Sequence, residues 1–535
     1  MSANVFSHLS GKVPFRRLST VVNHLLRVPT MSGSRPTAGI IIIGDEILKG
    51  HTQDTNSFFL SKQLYSLGIR VERISVIGDE LSTIAKEIAE FSSRFTHVIT
   101  AGGIGPTHDD ITFAGAAKAF EERLEPHPIL VELCRKYFGQ DAALDSPKLK
   151  MAHIPASSEL HFGINKKTGE QSKYPIISVR NVIMFPGIPT LVERGFSIVK
   201  DKVLQNSDMF YIREIYTKSD EVSIAPILNQ FNAKYQDTIQ LGSYPDWLNN
   251  YYRVKLTLEC DCKETLDVAH EELLNMLPSE LVVKYEKDSV VKAEEQVYSI
   301  VESDRLDEYV EYLRRSVRTM EEALDKYKLD EICIGFNGGK DCTALLHLFY
   351  AVVKRKYPKY DDHLQALYIK NHSTFPEAET FFNDCTKRYN LKSYTIQSSM
   401  KVALLQLKEQ APHVKAILMG TRKSDPYSAK LDSFTMTDPD WPQFMRINPL
   451  LHWRYQDVWM FLRQLFIPYC ILYDQGYTSM GAMDNTKPNA LLKYIDENGK
   501  TCYRPAYELE DESQERNGRN GTTDKKWNKE VNRDK

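Results

Sequence analysis

The chain has 535 residues, enough for three or four domain-sized units, and its 42% apolar and 26% charged content is ordinary for a globular protein. A formal net charge of −3 excludes a general nucleic-acid binder, because phosphate-backbone binding shows as a basic surplus. No apolar run reaches membrane-spanning length, and the eight cysteines lack CxxC or paired Cys/His spacing, which points to reduced thiols in a cytosol-like compartment.

The first 36 residues carry Lys12, Arg16, Arg17, Arg27 and Arg35, several serines and no acidic residue. Such a leader resembles a mitochondrial transit peptide; the other reading is a disordered N-terminal tail. A product starting at Met31 would lose most of it, so a cytoplasmic protein with a mitochondrial form is expected.

Residues 39–44 (GIIIIG) read as a buried parallel strand, followed by Asp45 and Glu46. Asp54 or Thr55 caps a helix with Leu60, Leu64 and Leu67 on one side, and Gly68 stops it. Strands over 70–77 and 97–100 flank a helix over 81–91, and the third strand runs straight into Ala101-Gly102-Gly103-Ile104-Gly105-Pro106-Thr107-His108-Asp109-Asp110. A further strand over 179–185 ends at Pro186-Gly187-Ile188-Pro189. This alternation predicts a parallel sheet with helices on both faces, whose ligands bind at the carboxyl ends of the strands.

From about 209 the order becomes strand 211–217, helix 221–231, strands 238–243 and 251–259, helix 264–276 and strand 281–285, a split-βαβ arrangement. No chemical groups concentrate there, so it reads as a packing or dimerisation module, and a homo-oligomer is left open. A charged helical connector follows, then strands over 332–336, 364–370, 393–396 and 416–419 alternating with helices over 340–352, 376–389 and 400–409. An amphipathic helix over 454–465 and a polar tail after 520 complete the chain.

The third unit opens on Gly335-Phe336-Asn337-Gly338-Gly339-Lys340-Asp341-Cys342. A strand, a glycine turn and a helix start form a phosphate cradle, since glycine lets backbone N–H groups approach an anion and the helix dipole adds positive charge. The spacing is not that of the common P-loop, and a glycine pair alone is equally a tight turn. Further clusters fall after later strands: Phe375-Pro376-Glu377, Gly420-Thr421-Arg422-Lys423-Ser424-Asp425-Pro426, Trp441-Pro442 and Gly476-Tyr477-Thr478-Ser479-Met480-Gly481. Together they suit a phosphate-bearing ligand with flat rings.

FNGGKDC resembles the SYNGGKDC signature of eukaryotic-type FAD synthetases, in the PAPS-reductase branch of the PP-loop fold. FPE, GTRKSDP, a WP followed by Arg446-Ile447-Asn448-Pro449, and GYTSMG match that family in order over about 330–519, with Phe336 for the usual Tyr and Ser424 for the usual Thr. The resemblance implies transfer of AMP from ATP to FMN, giving FAD and pyrophosphate, with Mg²⁺ as cofactor and apo-flavoproteins as clients. It implies a catalytic set of Asn337, Asp341, Asp425, Arg516 and Arg519, with Asp341 also on the metal. It implies ligand contacts from Gly338, Gly339, Lys340, Phe375, Glu377, Arg422, Trp441, Tyr477 and Ser479. Backbone N–H groups of Gly338, Gly339 and Lys340 are expected to hold phosphates. For Arg516 and Arg519 a solvated charge run is the other reading. A sulfate-conjugate reductase would need a late cysteine in an ECGxH-like context, whereas Cys470 and Cys502 sit in PYCIL and TCYRP. The HxGH of bacterial-type nucleotidyltransferases is absent too.

GDEILKG, TAGGIGPTHDD and FPGIP resemble the molybdopterin-binding domain shared with CinA-like proteins, and the split-βαβ region resembles their extension. Two roles stay open for this unit. One is a metal-dependent pyrophosphatase cutting FAD to FMN and AMP, with Asp45, Glu46, Asp109 and Asp110 placing a divalent or monovalent cation or water. The other is a non-catalytic binding or regulatory module, and Asp109 is equally an N-cap. The expected architecture is α/β throughout: leader 1–36, molybdopterin-binding-like three-layer domain 37–208, split-βαβ subdomain 209–290, connector 291–330, PP-loop domain with a parallel sheet 331–519, and tail 520–535.

Overall fold

The computed structural model describes residues 35–139, 143, 146–164, 171–172, 174–204, 209–287, 289–370 and 372–519. The expectations for the leader up to residue 34 and for the tail from 520 lie outside the described residues. The chain divides into two compact units, one running to Ile212 and including Glu259–Asp267, the other holding Arg213–Leu258 and everything from Val268.

The first unit contains β1 (Thr37–Ile43), β2 (Arg70–Ile77), β3 (His97–Ala101), a small antiparallel pair β4 (Leu124–Pro126) and β5 (His153–Pro155), then β6 (Glu159–His161), β7 (Ile176–Val179) and β8 (Val182–Phe185). Its main sheet runs β2-β1-β3-β8-β7-β6 and is parallel from β2 to β8. The isoleucine run of β1 feeds two cores at period two. Ile41 and Ile43 pack with Ile84, Ile88 and Phe91 of the helix Leu81–Arg94, whereas Ile40 and Ile42 pack with Leu60 and Leu64 of the helix Asn56–Ser66. The single strand expected over 179–185 is instead the hairpin β7–β8. Arg180 turns with φ 50°, and the Asn181 side-chain amide donates to the Ser92 and Phe95 carbonyls at 3.0 and 2.9 Å. The polar pair Arg180-Asn181 between two apolar runs marks that turn.

The next module has β9 (Tyr211–Thr217), β10 (Gln240–Pro245), β11 (Val254–Cys260) and β12 (Val282–Val283) in sheet order β10-β11-β9-β12, the split-βαβ topology. Along β11 burial alternates strictly, so one face is core. The segment expected as a connector contains the helices Ala293–Val301 and Glu308–Lys326. Val310, Leu313, Val317, Met320 and Leu324 recur at helical spacing and join the large core around β13 (Ile332–Gly335).

The third sheet adds β14 (Leu364–Ile369), β15 (Leu391–Ile396), β16 (Ala416–Leu418), β17 (Phe434–Met436) and β18 (Met445–Ile447), in order β15-β14-β13-β16-β18-β17, with only β17 antiparallel. The chain leaves β13 outward through β14 and β15, then returns to the other side as β16. The loops after β13 and β16 therefore flank a topological switch point, where open α/β sheets hold ligands.

Candidate functional site

The glycine loop turns at Gly338, whose φ is +77°. The Asn337 side-chain oxygen accepts from the Gly339 N–H and from the Cys342 thiol, both at 3.0 Å, and so fixes the turn. The helix Lys340–Lys356 starts immediately after. The Lys340 N–H, expected to face a phosphate, donates instead to the Tyr473 hydroxyl at 2.8 Å. Two of the three amides expected on phosphate are thus satisfied inside the protein, which shifts the anion-holding task towards side chains. The loop after β16 approaches closely: a Cβ on Gly420 would lie 3.0 Å from the Cys342 nitrogen.

Between these loops lies a closed ring of alternating charges. Lys340 Nζ is 2.9 Å from Asp341 Oδ2, and Asp341 Oδ1 is 3.0 Å from Arg422 Nε, an ion pair out of line for a hydrogen bond. Arg422 Nη2 is 2.6 Å from Glu515 Oε2, and Glu515 Oε1 closes the ring 2.5 Å from Lys340 Nζ. Lys340 and Arg422 are only 2% and 1% exposed, so neither charge is solvated and each needs its carboxylates. Asp425 accepts from the Arg422 N–H at 2.9 Å and lies 3.6 Å from its guanidinium. The Tyr455 ring lies 5.1 Å from Lys340 Nζ.

Two carboxylates of this cluster titrate in opposite directions. Burial raises Asp341, but the adjacent Lys340 and Arg422 outweigh it and hold its pKa below the ordinary value. For Asp425 burial dominates over the Arg422 contacts, and its pKa is raised. Asp341, expected to hold Mg²⁺, has each oxygen in an ion pair with a buried cation and does not fit a divalent ion as placed here.

The remaining expected residues lie on other loops and one helix start of the third unit. Phe375 and Tyr477 form an edge-to-face pair at 5.4 Å, with Glu377 exposed beside Phe375 and Ser479 half-buried. Trp441 packs against the cluster that includes Cys333, Leu367, Leu404 and Phe444, separate from the core that holds Phe375. Arg516 is exposed, and Arg519 donates to the Met480 carbonyl at 2.6 Å. Sequence reading missed Glu515, Tyr473 and Tyr455. Only the acidic neighbour of Arg516 offered any signal, since the partners are far apart in the chain.

In the first unit a cavity of about 400 Å³ is lined by Gly44, Glu46, Gly102, Gly103, Asp109 and Asp110 among others, with Asp79 as a carboxylate the sequence reading did not single out. Burial first, then the charges of Glu46, Asp45 and Asp109, raise the pKa of Asp79. Asp45 pairs with Lys49 at 2.9 Å and its N–H donates to Asp79, while Asp110 accepts from the Thr107 N–H at 2.8 Å. Among the described residues no three His, Cys, Asp or Glu side chains are gathered closely enough to hold a metal ion, so Asp45, Asp109 and Asp110 form no ready-made metal site.

No helix among the described residues is long and apolar enough to cross a membrane. Family models match residues 39–206 (probable molybdopterin binding domain), 209–286 (FAD synthase, middle domain), and 331–411 with 395–488 (phosphoadenosine phosphosulfate reductase domain). A probable FAD synthase of Caenorhabditis briggsae is 36% identical over 510 residues, covering 91% of this chain and 97% of its own. One from Caenorhabditis elegans is 36% identical over 513 residues, covering 92% and 98%. A crystal structure of Candida glabrata FMN adenylyltransferase with FMN and an ATP analogue is 26% identical, covers 43% of this chain and 99% of that one, and has a TM-score of 0.40. Three domain matches in order and full-length similarity to these relatives place the chain in the FAD synthase family.

Proposed function

We propose that this chain makes FAD by transferring AMP from ATP to the phosphate of FMN, with pyrophosphate leaving. The observation that carries the reading is the buried ring Lys340–Asp341–Arg422–Glu515 at the switch point of the third sheet. Such a transfer needs in-line positioning and neutralised phosphate charge rather than a strong base, because the FMN phosphate is already ionised near neutral pH. Asp341 suits that demand, since two cations keep it ionised and it orients both of them. Asn337 fixes the glycine loop, Gly338, Gly339 and Lys340 shape it, and Asp425 anchors the Arg422 loop. Arg516 and Arg519 supply charge at the rim. Phe375 and Tyr477 offer ring surfaces, with Glu377 and Ser479 as polar neighbours, whereas Trp441 belongs to a separate cluster. The ring leaves Asp341 no oxygen outside an ion pair, so no step is routed through Mg²⁺ on that side chain.

For the first unit the reading is an FAD pyrophosphatase, with Glu46, Asp79, Asp109 and Asp110 around one cavity beside the Gly102-Gly103 turn; these carboxylates gather no ready-made metal site, so a divalent ion would arrive with the diphosphate of FAD. The alternative is a regulatory module that binds without turnover. One experiment addresses both sites. The full-length chain with FMN and ATP should release one pyrophosphate per FAD, and Asp341→Ala should lower that rate about 100-fold or more. The same variant, given FAD and divalent ions, should still cleave it to FMN and AMP. No FAD from the wild-type chain would sink the synthase assignment, and FAD bound but never cleaved would favour the regulatory module.

A further inference from the structure

Of the four ions in the ring, Lys340, Asp341 and Arg422 come from two adjacent strand-end loops, whereas Glu515 comes from the C-terminal end of the described chain. It lies in a strap that crosses the GYTSMG loop and is tied there on both sides. The Thr478 hydroxyl donates to the Glu515 carbonyl at 2.6 Å, and the Asn489 amide donates to the Gln514 carbonyl at 2.9 Å. Further on, the Lys487 N–H donates to the Gly518 carbonyl at 2.9 Å, and Arg519 reaches the Met480 carbonyl. These bonds fix the strap to its neighbouring loop, and the Glu515 side chain ties it to the glycine loop and to Arg422 at once.

The charge balance shows why that link has consequences beyond adhesion. Without Glu515 the cluster holds two cations against Asp341 and Asp425, and Lys340 and Arg422 would share a single close carboxylate. Two buried cations on one anion repel each other, and either would swing towards water. With Glu515 each cation is held between two carboxylates and its direction is set.

We propose that Glu515 is a positioning residue for the AMP-transfer reaction: it orients Lys340 and Arg422 and clamps the C-terminal strap over the glycine loop. This rests on the synthase reading given above. A carboxylate is required because each oxygen faces a different cation. Glutamine would turn an NH₂ donor towards one of them, and aspartate, one methylene shorter, would not span both.

The test is FAD formation by the full-length chain carrying Glu515→Gln, with Glu515→Asp beside it. Both variants should melt below wild type, because each leaves a buried cation short of a carboxylate, yet stay folded at the assay temperature and quench FMN fluorescence normally. Each should lose about 100-fold in kcat/KM for ATP, the scale of a misplaced positioning group, with the KM for FMN unchanged. Wild-type kcat/KM for ATP in E515Q overturns the proposal, as does a rise in the KM for FMN as large as the loss in kcat/KM for ATP, which marks a general structural effect. If E515Q does not fold, E515D decides on the same criteria. Tryptic cleavage after Arg516 and Arg519, followed with no substrate present, should be faster in the variants. Equal cleavage in wild type and variants overturns the clamp even in a chain that forms no FAD, so the two readings fail separately.

Discussion

A side chain at residue 481 would collide with an arginine. A Cβ built on Gly481 lies 2.3–2.4 Å from the Arg519 guanidinium, which is the far end of a flexible side chain and can be pushed aside without moving backbone. Gly481→Ala should therefore leave the melting temperature within a degree or two of wild type and lower FAD synthesis roughly tenfold by displacing Arg519. Steady-state assay beside a thermal melt checks this, and an unchanged rate would mean that Arg519 has no part in turnover. At this scale the sequence was legible wherever a motif is local: Asn337, Gly338 and Gly339 do form one turn. It was silent where the partner is remote, as for Lys340 and Glu515, because no local period or spacing encodes a pairing between distant segments.

The helix Lys340–Lys356 carries a second consequence. It is buried around most of its circumference, and His347 in its middle is wholly inaccessible. His347 Nδ1 lies 2.9 Å from the Tyr389 hydroxyl, and burial pushes the imidazole pKa down to about 3. The folded pKa is thus below the unfolded one, so the unfolded chain binds the extra proton between about pH 6.5 and 3. The stability this neutral histidine contributes is complete above pH 6.5 and is lost as pH falls towards 3, at about 1.4 kcal/mol per pH unit. Denaturation midpoints at pH 7 and pH 5 should differ more in wild type than in His347→Gln, and equal differences would count against it. Elements of this kind were readable because an apolar strand, a glycine stop and a long apolar helix leave little choice. The β7–β8 hairpin was harder, since the two tight-turn residues, Arg180 and Asn181, also read as a polar stretch within one strand, and the three-residue strands β16 to β18 are too short to carry a period.

On the scale of the whole molecule, although a family model matches residues 209–286 by themselves, most of the split-βαβ module shares a compact unit with the third sheet. The reason lies in the segment between β10 and β11. The Asn250 amide donates to Asp474 at 2.9 Å, and its oxygen accepts from the Tyr469 N–H at 3.0 Å. Tyr251 is 6% exposed, its ring meets Phe466 and Tyr469 edge to face, and its hydroxyl lies 2.9 and 2.6 Å from the Leu462 and Ile467 carbonyls. These carbonyls end the helix Tyr455–Gln464 and begin the turn that leads to Tyr473, whose hydroxyl holds the Lys340 N–H. Nothing in a Tyr-Tyr pair at the start of a strand announces such a plug. Tyr251→Phe keeps the ring but removes the one O–H that faces both carbonyls; the Leu462 carbonyl keeps the Ile467 N–H at 2.9 Å, so it is the Ile467 carbonyl that loses its donor, a cost of about 1–3 kcal/mol. Tyr251→Ala also opens a cavity and should cost about 3–5 kcal/mol. Thermal unfolding of the full-length chain should rank wild type above Tyr251→Phe above Tyr251→Ala, with FAD synthesis falling in the same order as Tyr473 loosens. Identical melting curves for wild type and Tyr251→Ala would show that the module merely rests against the synthase sheet and does not brace it.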